Sequence, residues 1–330
     1  MNASGTSVAP RAGSSVSRWC RIGVSAVLLL GLLGYIDLGE AVRVLRHADP
    51  GLLALALLTS VAQLCLSSYR WYMLLHGKHE AVTFGSVLRI NFTSSFVGFF
   101  MPGGMGIEVV RIYSLSRATA DVALSISSVL VERVLALLTL FSLVLLALLL
   151  SPPGLPPSIG YAAWFGLALL GLFSVTLMAR RARRATARLL GAVRLRRINA
   201  GMARLYACLD AYRKQPGMMA WAIAVAIGYQ FMRIALVIFC AWALRQHLPL
   251  VYFILFVPII IVLTLLPISI AGLGVREGAF VYLFGLVGMR PEDAFMLSVL
   301  VFLMNIAGTL PGAWFYATDK AARPGTAGKT

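Results

Sequence analysis

The sequence predicts an all-α, polytopic membrane protein with about six full transmembrane helices and two re-entrant or broken helix hairpins. Two observations carry this prediction. The 330 residues are 60% hydrophobic and only 12% charged, with a mean hydropathy of +0.86, which is too apolar for a soluble chain of this length. Several apolar runs also reach the roughly 20 residues that a helix needs to cross a bilayer, and they are too long to be strands of a barrel.

The full spans follow the apolar runs along the chain. We place them at 20–37, 50–75, 121–150, 158–178, 217–243 and 293–317. Residues 1–18 form a polar arm and residues 318–330 a polar tail, so we treat 19–317 as one membrane domain. The first apolar run has no convincing cleavage site, which favours a retained helix over a signal peptide.

Two further apolar regions, at about 84–117 and 251–289, are interrupted by similar motifs. The first contains MPGGMGIEVVR at 101–111 and the second contains PISIAGLGVREG at 267–278. Each interruption leaves two halves that are too short to span a bilayer comfortably, which favours re-entrant hairpins over full spans that break at the motif. Glycine permits a sharp turn, proline ends a half-helix, and the free amides at the next helix start attract anions.

The basic residues predict the orientation in the membrane. The segment 180–216 carries eleven Lys and Arg residues against one acid, which places this segment and both termini in the cytoplasm, with the protein in the inner membrane. Its apolar residues recur at helical spacing, so it should lie on the membrane surface as an amphipathic helix. With this topology the two hairpins enter from opposite sides, as an inverted repeat requires. Two ordinary membrane-helix kinks are the alternative.

Ionisable residues deep in a membrane are costly, so each of them requires a partner or a function. The candidate substrate-binding residues are Arg89, Asn91, Gly103, Gly104, Gly106, Glu108, Arg111, Glu132, Arg133, Arg233, Gly272, Gly274, Arg276, Glu277 and Asn305. Their five arginines and three glutamates leave an excess of two positive charges, which predicts an anionic ligand. Because arginine binds phosphate bidentately, the ligand should be a phospholipid or polyprenyl-phosphate headgroup. Buried ion pairs that only stabilise the bundle are the alternative.

Sequence spacing also predicts how these charges pair. Glu108 and Arg111 are three residues apart, so on a helix they share a face and can pair. Glu132 and Arg133 are adjacent and diverge by about 100° on a helix, so they should reach different partners. The glutamates are expected to hold the arginines in place while the site is empty.

The sequence offers little for other chemistry. Its four cysteines, Cys20, Cys65, Cys208 and Cys240, occur singly and predict neither a disulfide framework nor a metal site. Zinc-hydrolase and phosphate-loop motifs are absent, so we predict no catalytic residue, metal or cofactor, and transport would run downhill or be coupled to an ion gradient. The net charge of +17 follows the positive-inside pattern and does not indicate nucleic acid.

Three segments, taken in order, resemble a known family. They are NFTSSFVGFFMPGGMGIEVVRIYSLSR from residue 91, SSVLVERVLALLTL from 127, and LLPISIAGLGVREGAFVYLFGLVG from 265, followed by PEDAFMLSVLVFL. From about residue 20 to 317 the chain is similar to the membrane region of lysylphosphatidylglycerol synthases and to related stand-alone flippase-like proteins. The resemblance implies a lipid translocase, with Glu108, Arg111, Glu132, Arg133, Gly272, Gly274, Arg276 and Glu277 at the family's motifs. Because the sequence ends after the membrane region, we expect no aminoacyl-transferase domain, and the substrate stays open.

The leading hypothesis is a flippase or scramblase for an anionic or aminoacylated phospholipid or a polyprenyl-phosphate-linked glycolipid. Arg111, Arg133 and Arg276 would bind the phosphate while one half of the protein rocks against the other. The alternative is a non-transporting scaffold that presents a lipid to a separately encoded glycosyltransferase or synthase. A membrane-embedded lipid enzyme ranks last because no nucleophile or metal set is evident. The oligomeric state is left open.

Overall fold

The computed structural model describes residues 48–76, 82–99, 106–149, 215–265 and 272–318, together with 161, 164, 168, 211 and 212. These residues contain eight helices: α1 (Pro50–Leu75), α2 (Phe84–Phe99), α3 (Gly106–Thr119), α4 (Val122–Leu149), α5 (Pro216–Ala243), α6 (Leu250–Leu265), α7 (Val275–Gly285) and α8 (Pro291–Thr318). No strand occurs among the described residues. The predicted all-helical class is confirmed.

Four of the predicted spans are present, with bounds within two residues of the prediction. The helices α1, α4, α5 and α8 are long and apolar enough to cross a membrane. The predicted spans at 20–37 and 158–178 lie outside the described residues except for isolated positions, as do the terminal arm, the tail and most of the basic segment 180–216. Their placement stays a prediction.

The first interrupted region is a helical hairpin, because its two arms fold back on each other. Close to the break, a Cβ atom on Gly98 would lie 2.5 Å from the backbone nitrogen of Ile107. Farther from the break, Arg111 Nε donates to Asn91 Oδ1 over 3.0 Å. A full span that only kinks would carry its second half onward, away from the first. The arms α2 and α3 instead run antiparallel.

The second interrupted region has the same form. A Cβ on Gly272 would lie 3.1 Å from Thr264 near the break, and the Phe256 and Phe284 rings lie 5.4 Å apart farther along the arms. The backbone turn requires glycine, since Gly272 and Gly274 have φ values of +75° and +82°. The four arms of the two hairpins contain 11 to 16 residues, or roughly 16–24 Å, which is less than a bilayer core of roughly 30 Å. Both regions therefore fit re-entrant hairpins.

The eight helices divide into two halves with the same order and similar lengths. Helices α1 to α4 contain 26, 16, 14 and 28 residues, and α5 to α8 contain 28, 16, 11 and 28. Each helix of the second half begins 166 to 169 residues after its counterpart in the first. The packing repeats as well, because α2 packs on α8 as α6 packs on α4, and α1 packs on α8 as α5 packs on α4. The chain therefore contains an internal structural repeat.

The counterpart helices α1 and α5 show that this repeat is inverted. At one end of the pair, the Asp49 backbone nitrogen donates to the Ala243 carbonyl oxygen over 3.0 Å. At the other end, Leu74 lies in one apolar cluster with Met218 and Ala222. The two helices are thus antiparallel, and the two-fold relation between the halves is perpendicular to them. For membrane-spanning helices this axis lies in the membrane plane, in agreement with the predicted repeat.

The apolar core is unevenly divided between the halves. Its largest cluster lies where α5, α6, α7, α8 and the end of α4 meet, and it includes the fully buried Phe253, Phe256 and Phe284. In the first half, the interior faces of α1, α2 and α4 bury polar and charged side chains instead, among them Arg70 and Glu132. This difference positions the site.

Candidate functional site

A cavity of about 230 Å³ lies among α1, α2, α3 and α4 and is completed by side chains from α5 and α8. We call it the charged cavity. Seven of the residues predicted from the sequence line it: Asn91, Glu108, Arg111, Glu132, Arg133, Arg233 and Asn305. Helix spacing explains why each element contributes neighbours, since Asn91 and Ser95 on α2, and Asn305 and Thr309 on α8, stand four residues apart on one face.

Glu132 lies at the centre of the charged network and contacts two arginines. Its Oε1 accepts from Arg70 Nη2 over 2.8 Å and from Ser67 Oγ over 3.2 Å, and its Oε2 accepts from Arg111 Nη1 over 2.5 Å. All three charged side chains are less than a tenth exposed. A buried carboxylate needs such partners, because an unpaired one would cost several kcal/mol of desolvation.

Arg111 joins three helices and has no nitrogen left free. Its Nε and Nη2 donate to Asn91 Oδ1 over 3.0 and 2.6 Å, its Nη1 donates to Glu132, and its guanidinium lies 4.6 Å from the centroid of the Trp71 ring. Asn91 in turn donates to Ser68 Oγ over 2.8 Å. Arg111 therefore holds α1, α2 and α4 together, and its position favours a structural role over direct ligand contact.

Glu108 pairs with Arg133 over 2.9 Å and not with Arg111, so the pairing predicted from the three-residue spacing is wrong. Arg111 turns inward, where Asn91 and Glu132 satisfy its donors, and it leaves Glu108 to the arginine on α4. Glu132 and Arg133 reach different partners, as predicted. The outer pair is also more open, with the Arg133 side chain 42% and the Glu108 side chain 22% exposed.

Several buried polar atoms of the charged cavity have no hydrogen-bond partner among the described residues. They are Arg70 Nε and Nη1, Gln63 Nε2 and Glu108 Oε2. Arg70 and Gln63 are only 3% and 5% exposed. Leaving a buried donor unsatisfied costs about 1–3 kcal/mol, and more when it is charged. Three such donors at one cavity therefore indicate a site for an acceptor-rich ligand.

A second feature of this cavity is its excess of positive charge. The guanidinium groups of Arg70 and Arg233 lie 5.3 and 5.6 Å from the centroid of the Tyr229 ring. Arg233 forms no ion pair within the described part of the chain. Of the described residues, four arginines and two glutamates line the cavity, so two positive charges of this set are uncompensated. This balance favours an anion.

A second cavity of about 230 Å³ lies among α5, α6, α7 and α8. We call it the apolar cavity, since most of its lining is Val, Leu, Ile and Phe, and it shares Gln63, Arg233 and Asn305 with the charged cavity. Arg276 lines it but is engaged, because it pairs with Glu277 and lies 4.1 Å from the Phe302 ring centroid. Glu277 also accepts a hydrogen bond from the Gly274 amide over 2.6 Å and so caps the N-terminus of α7.

The remaining predicted residues have other positions. Arg89 is exposed and lines neither cavity, so the structure does not bring it to the others. Gly106 begins α3, and Gly272 and Gly274 form the turn before α7. Gly103 and Gly104 lie outside the described residues.

The sequence analysis missed four polar residues of α1 that line the charged cavity, Ser60, Gln63, Ser67 and Arg70. A signal was present, because they follow one another at steps of three, four and three residues and thus form a polar stripe on an otherwise apolar helix. Arg70 was not predicted because its sequence neighbours Tyr69, Trp71 and Tyr72 resemble the aromatic residues that anchor a helix at the membrane interface.

Together, the fold and the cavity define a multi-pass helical membrane protein with a buried, net positive site. The family model described as the lysylphosphatidylglycerol synthase TM region matches residues 18–312. The chain belongs to this family, which indicates a membrane protein with a lipid-related function. The comparison with curated proteins and the comparison with solved structures found no match.

Proposed function

We propose that this protein is a flippase or scramblase that moves a lipid with an anionic, phosphate-containing headgroup between the leaflets of the cell inner membrane. One observation carries the proposal: at a cavity between membrane-spanning helices, four arginines face two glutamates, and buried donors of Arg70 and Gln63 have no partner among the described residues. Family membership adds the connection to lipids.

The phosphate would bind among the free donors of the charged cavity. Arg70 offers Nε and Nη1, which lie on opposite edges of the guanidinium and would donate to separate acceptor oxygens of the headgroup, and Gln63 offers Nε2. Arg233 supplies a further positive charge across the Tyr229 ring. These interactions would satisfy donors that have no partner among the described residues, so binding would regain free energy that their desolvation costs.

The outer pair would serve the rest of the headgroup. Glu108 Oε2 is a buried acceptor that has no hydrogen-bond partner within the described ranges, and Arg133 is more open than Arg70 and Arg111. A cationic aminoacyl or aminosugar group could donate to Glu108, while Arg133 binds an additional anionic oxygen. An aminoacylated phospholipid carries both kinds of group.

Movement between leaflets would use the inverted repeat. In this arrangement, rocking of one half against the other exposes a central site first to one side of the membrane and then to the other. The headgroup would remain in the cavity while the acyl chains stay in lipid. No bond of the lipid is made or broken in this scheme, so the protein acts as a carrier and not as an enzyme.

The test is leaflet exchange in liposomes that carry the purified chain. The probes are labelled phosphatidylglycerol, an aminoacylated phospholipid and a polyprenyl-phosphate sugar. Arg70→Gln and Arg233→Gln should each slow exchange about tenfold or more, because a hydrogen bond to a charged group contributes about 1.5–3 kcal/mol. Arg290→Gln is the control, since Arg290 pairs with Asp293 at the start of α8, away from both cavities.

Each outcome has a definite meaning. Exchange of one probe that both cavity variants slow and the control does not would establish the carrier and name its headgroup class. Exchange that is insensitive to both cavity variants would show that the charged cavity is not the route. Binding of a lipid without any exchange would favour the scaffold that presents lipid to a separate enzyme.

A further inference from the structure

The charged and apolar cavities are counterparts in the inverted repeat. The displacement of 166 to 169 residues that relates the helices also relates residues that line one cavity to residues that line the other. For example, Glu132 on α4 corresponds to Val301 on α8, and Asn91 on α2 corresponds to Val257 on α6. The two cavities therefore have the same backbone framework and differ in their side chains.

At many counterpart positions, polar lining residues of the first half are replaced by apolar ones in the second, whereas Ile107 and Ala136 correspond to the polar Arg276 and Asn305. Six positions show the exchange: Arg70 to Leu236, Asn91 to Val257, Ser95 to Ile261, Arg111 to Phe280, Glu132 to Val301, and Arg133 to Phe302. Four of the six are charged in the first half, and none is charged in the second. The repeated arrangement of helices thus forms one cavity lined by charged side chains and one lined mainly by hydrocarbon side chains.

The charges that remain near the apolar cavity are neutralised locally. Glu108 corresponds to Glu277, but its partner Arg133 corresponds to Phe302, and Glu277 pairs with its neighbour Arg276 instead. The Arg276 guanidinium is covered by the Phe302 ring and donates to Ser298 Oγ over 3.2 Å. Among the residues that the structure describes, the uncompensated charge at this cavity is therefore Arg233, which lies on the face shared with the charged cavity.

We propose that the apolar cavity holds the part of an acyl or prenyl chain adjacent to the headgroup, so that one lipid lies across the axis of the repeat. This inference rests on the proposed lipid carrier and adds a second subsite to it. The phosphate lies at the shared face, between Arg70, Gln63 and Arg233, and the chain extends from there between α6 and α8. An amphiphile matches two adjoining cavities of opposite character, and neither cavity suits the other end of the molecule.

The experiment fills the apolar cavity without touching the charged one. Val301→Phe adds a ring at a buried lining position of α8. Val299→Phe is the matched control, because Val299 is partly buried on the same helix and packs against the core but does not line the cavity. Binding to the purified full chain in detergent is measured for glycerophosphoglycerol, dihexanoyl-phosphatidylglycerol and dioctanoyl-phosphatidylglycerol. These probes share a headgroup and differ only in their chains.

For the unaltered chain, affinity should rise with chain length. Val301→Phe should weaken dioctanoyl-phosphatidylglycerol about tenfold and leave glycerophosphoglycerol unchanged, whereas Arg70→Gln should weaken all three probes. An unchanged dependence on chain length in Val301→Phe would overturn the inference. Equal weakening of all probes by Val301→Phe would also overturn it and would make the apolar cavity a second headgroup station. If the unaltered chain binds none of the probes, or if Arg70→Gln has no effect, the proposed headgroup site itself fails.

Discussion

Arg70 and Arg111 contact the same carboxylate but have different surroundings. Every nitrogen of Arg111 is engaged with Asn91, Glu132 or Ser67, whereas Nε and Nη1 of Arg70 have no partner among the described residues. Arg111 is thus positioned to stabilise the bundle, and Arg70 to bind an anion. The same residue type has two roles because the packing of α1, α2 and α4 decides which donors are left over.

Arg111→Gln should therefore lower stability more than Arg70→Gln. Removing Arg111 leaves Asn91 Oδ1 without its donors and takes one of two arginines from Glu132, and the loss of one partner of a buried pair costs about 3–5 kcal/mol. Removing Arg70 should cost less, because Glu132 keeps Arg111 and Ser67 and two unsatisfied donors disappear. Denaturant unfolding of both variants in the same detergent measures the difference. Equal losses would mean that Arg70 is as structural as Arg111.

Gln63 on α1 and Gln230 on α5 are both buried and offer a second comparison. Gln230 Nε2 donates to the Ala136 carbonyl oxygen over 3.0 Å, while Gln63 Nε2 has no partner within the described residues. Both side chains are at most 5% exposed. The same side-chain type therefore has a structural role at Gln230 and lines a cavity at Gln63.

Gln63→Leu should weaken lipid binding with little change in stability, since it removes an unsatisfied buried donor. Gln230→Leu should lower the free energy of unfolding by about 1 kcal/mol, the usual contribution of a hydrogen bond, and leave lipid binding intact. The comparison requires thermal unfolding and lipid titration of both variants. A reversal of the two effects would contradict the assignment of the cavity face.

Among the structural elements, the re-entrant hairpins depend on close contact between their arms. In the first hairpin, Gly98 permits α2 to approach the start of α3, because any Cβ there would meet the backbone of Ile107. Gly85 lies on the same helix, but nothing within 4 Å would meet a Cβ at that position. Substitution of Gly98 therefore tests close packing between the arms, whereas substitution of Gly85 tests helix propensity alone.

Gly98→Ala should destabilise the protein by about 1–3 kcal/mol or more, because backbone must shift to make room. Gly85→Ala should be neutral or stabilising by up to about 1 kcal/mol, since alanine loses less entropy in a helix. Thermal unfolding of the two variants is the measurement. Similar behaviour of both would mean that the arms are not in close contact at Gly98.

At the scale of the whole molecule, the antiparallel packing of α1 on α5 determines how the two halves are related. It converts a repeat in sequence order into an inverted repeat in space, and it places the two cavities on either side of one axis. The polar half then faces the apolar half across Gln63, Arg233 and Asn305. The orientation of these two helices can be tested directly by cross-linking.

A cysteine pair at Asp49 and Ala243 should cross-link on mild oxidation when the four native cysteines have been replaced. The backbone atoms of these residues are hydrogen-bonded, so their side chains are within reach. A pair at Asp49 and Gly217 should not cross-link, since Gly217 lies at the opposite end of α5. Band shifts on non-reducing gels report both results. Cross-linking of the second pair alone would mean that α1 and α5 are parallel.

The sequence predicted the bounds of the long helices accurately, but it predicted the residues of the site only in part. The bounds of α1, α4, α5 and α8 were predicted within two residues, because the thickness of a bilayer sets the length of an apolar run. Arg89 was included only because it is charged, and the structure leaves it exposed. Arg70 was omitted because it lies near a helix end among interface aromatics, although the face of α1 on which it lies turns inward.

By itself, the sequence determined that the protein is a helical membrane protein, where four of its spans lie, and where its helices break, because hydropathy, glycine and proline act locally along the chain. Which arginine meets which glutamate was decided only by the tertiary structure. An arginine side chain reaches whichever helix packs beside it, and spacing along one helix carries no information about neighbours from distant parts of the chain. The division of one repeated framework into a charged and an apolar cavity has the same cause, since it exists only when the two halves pack antiparallel.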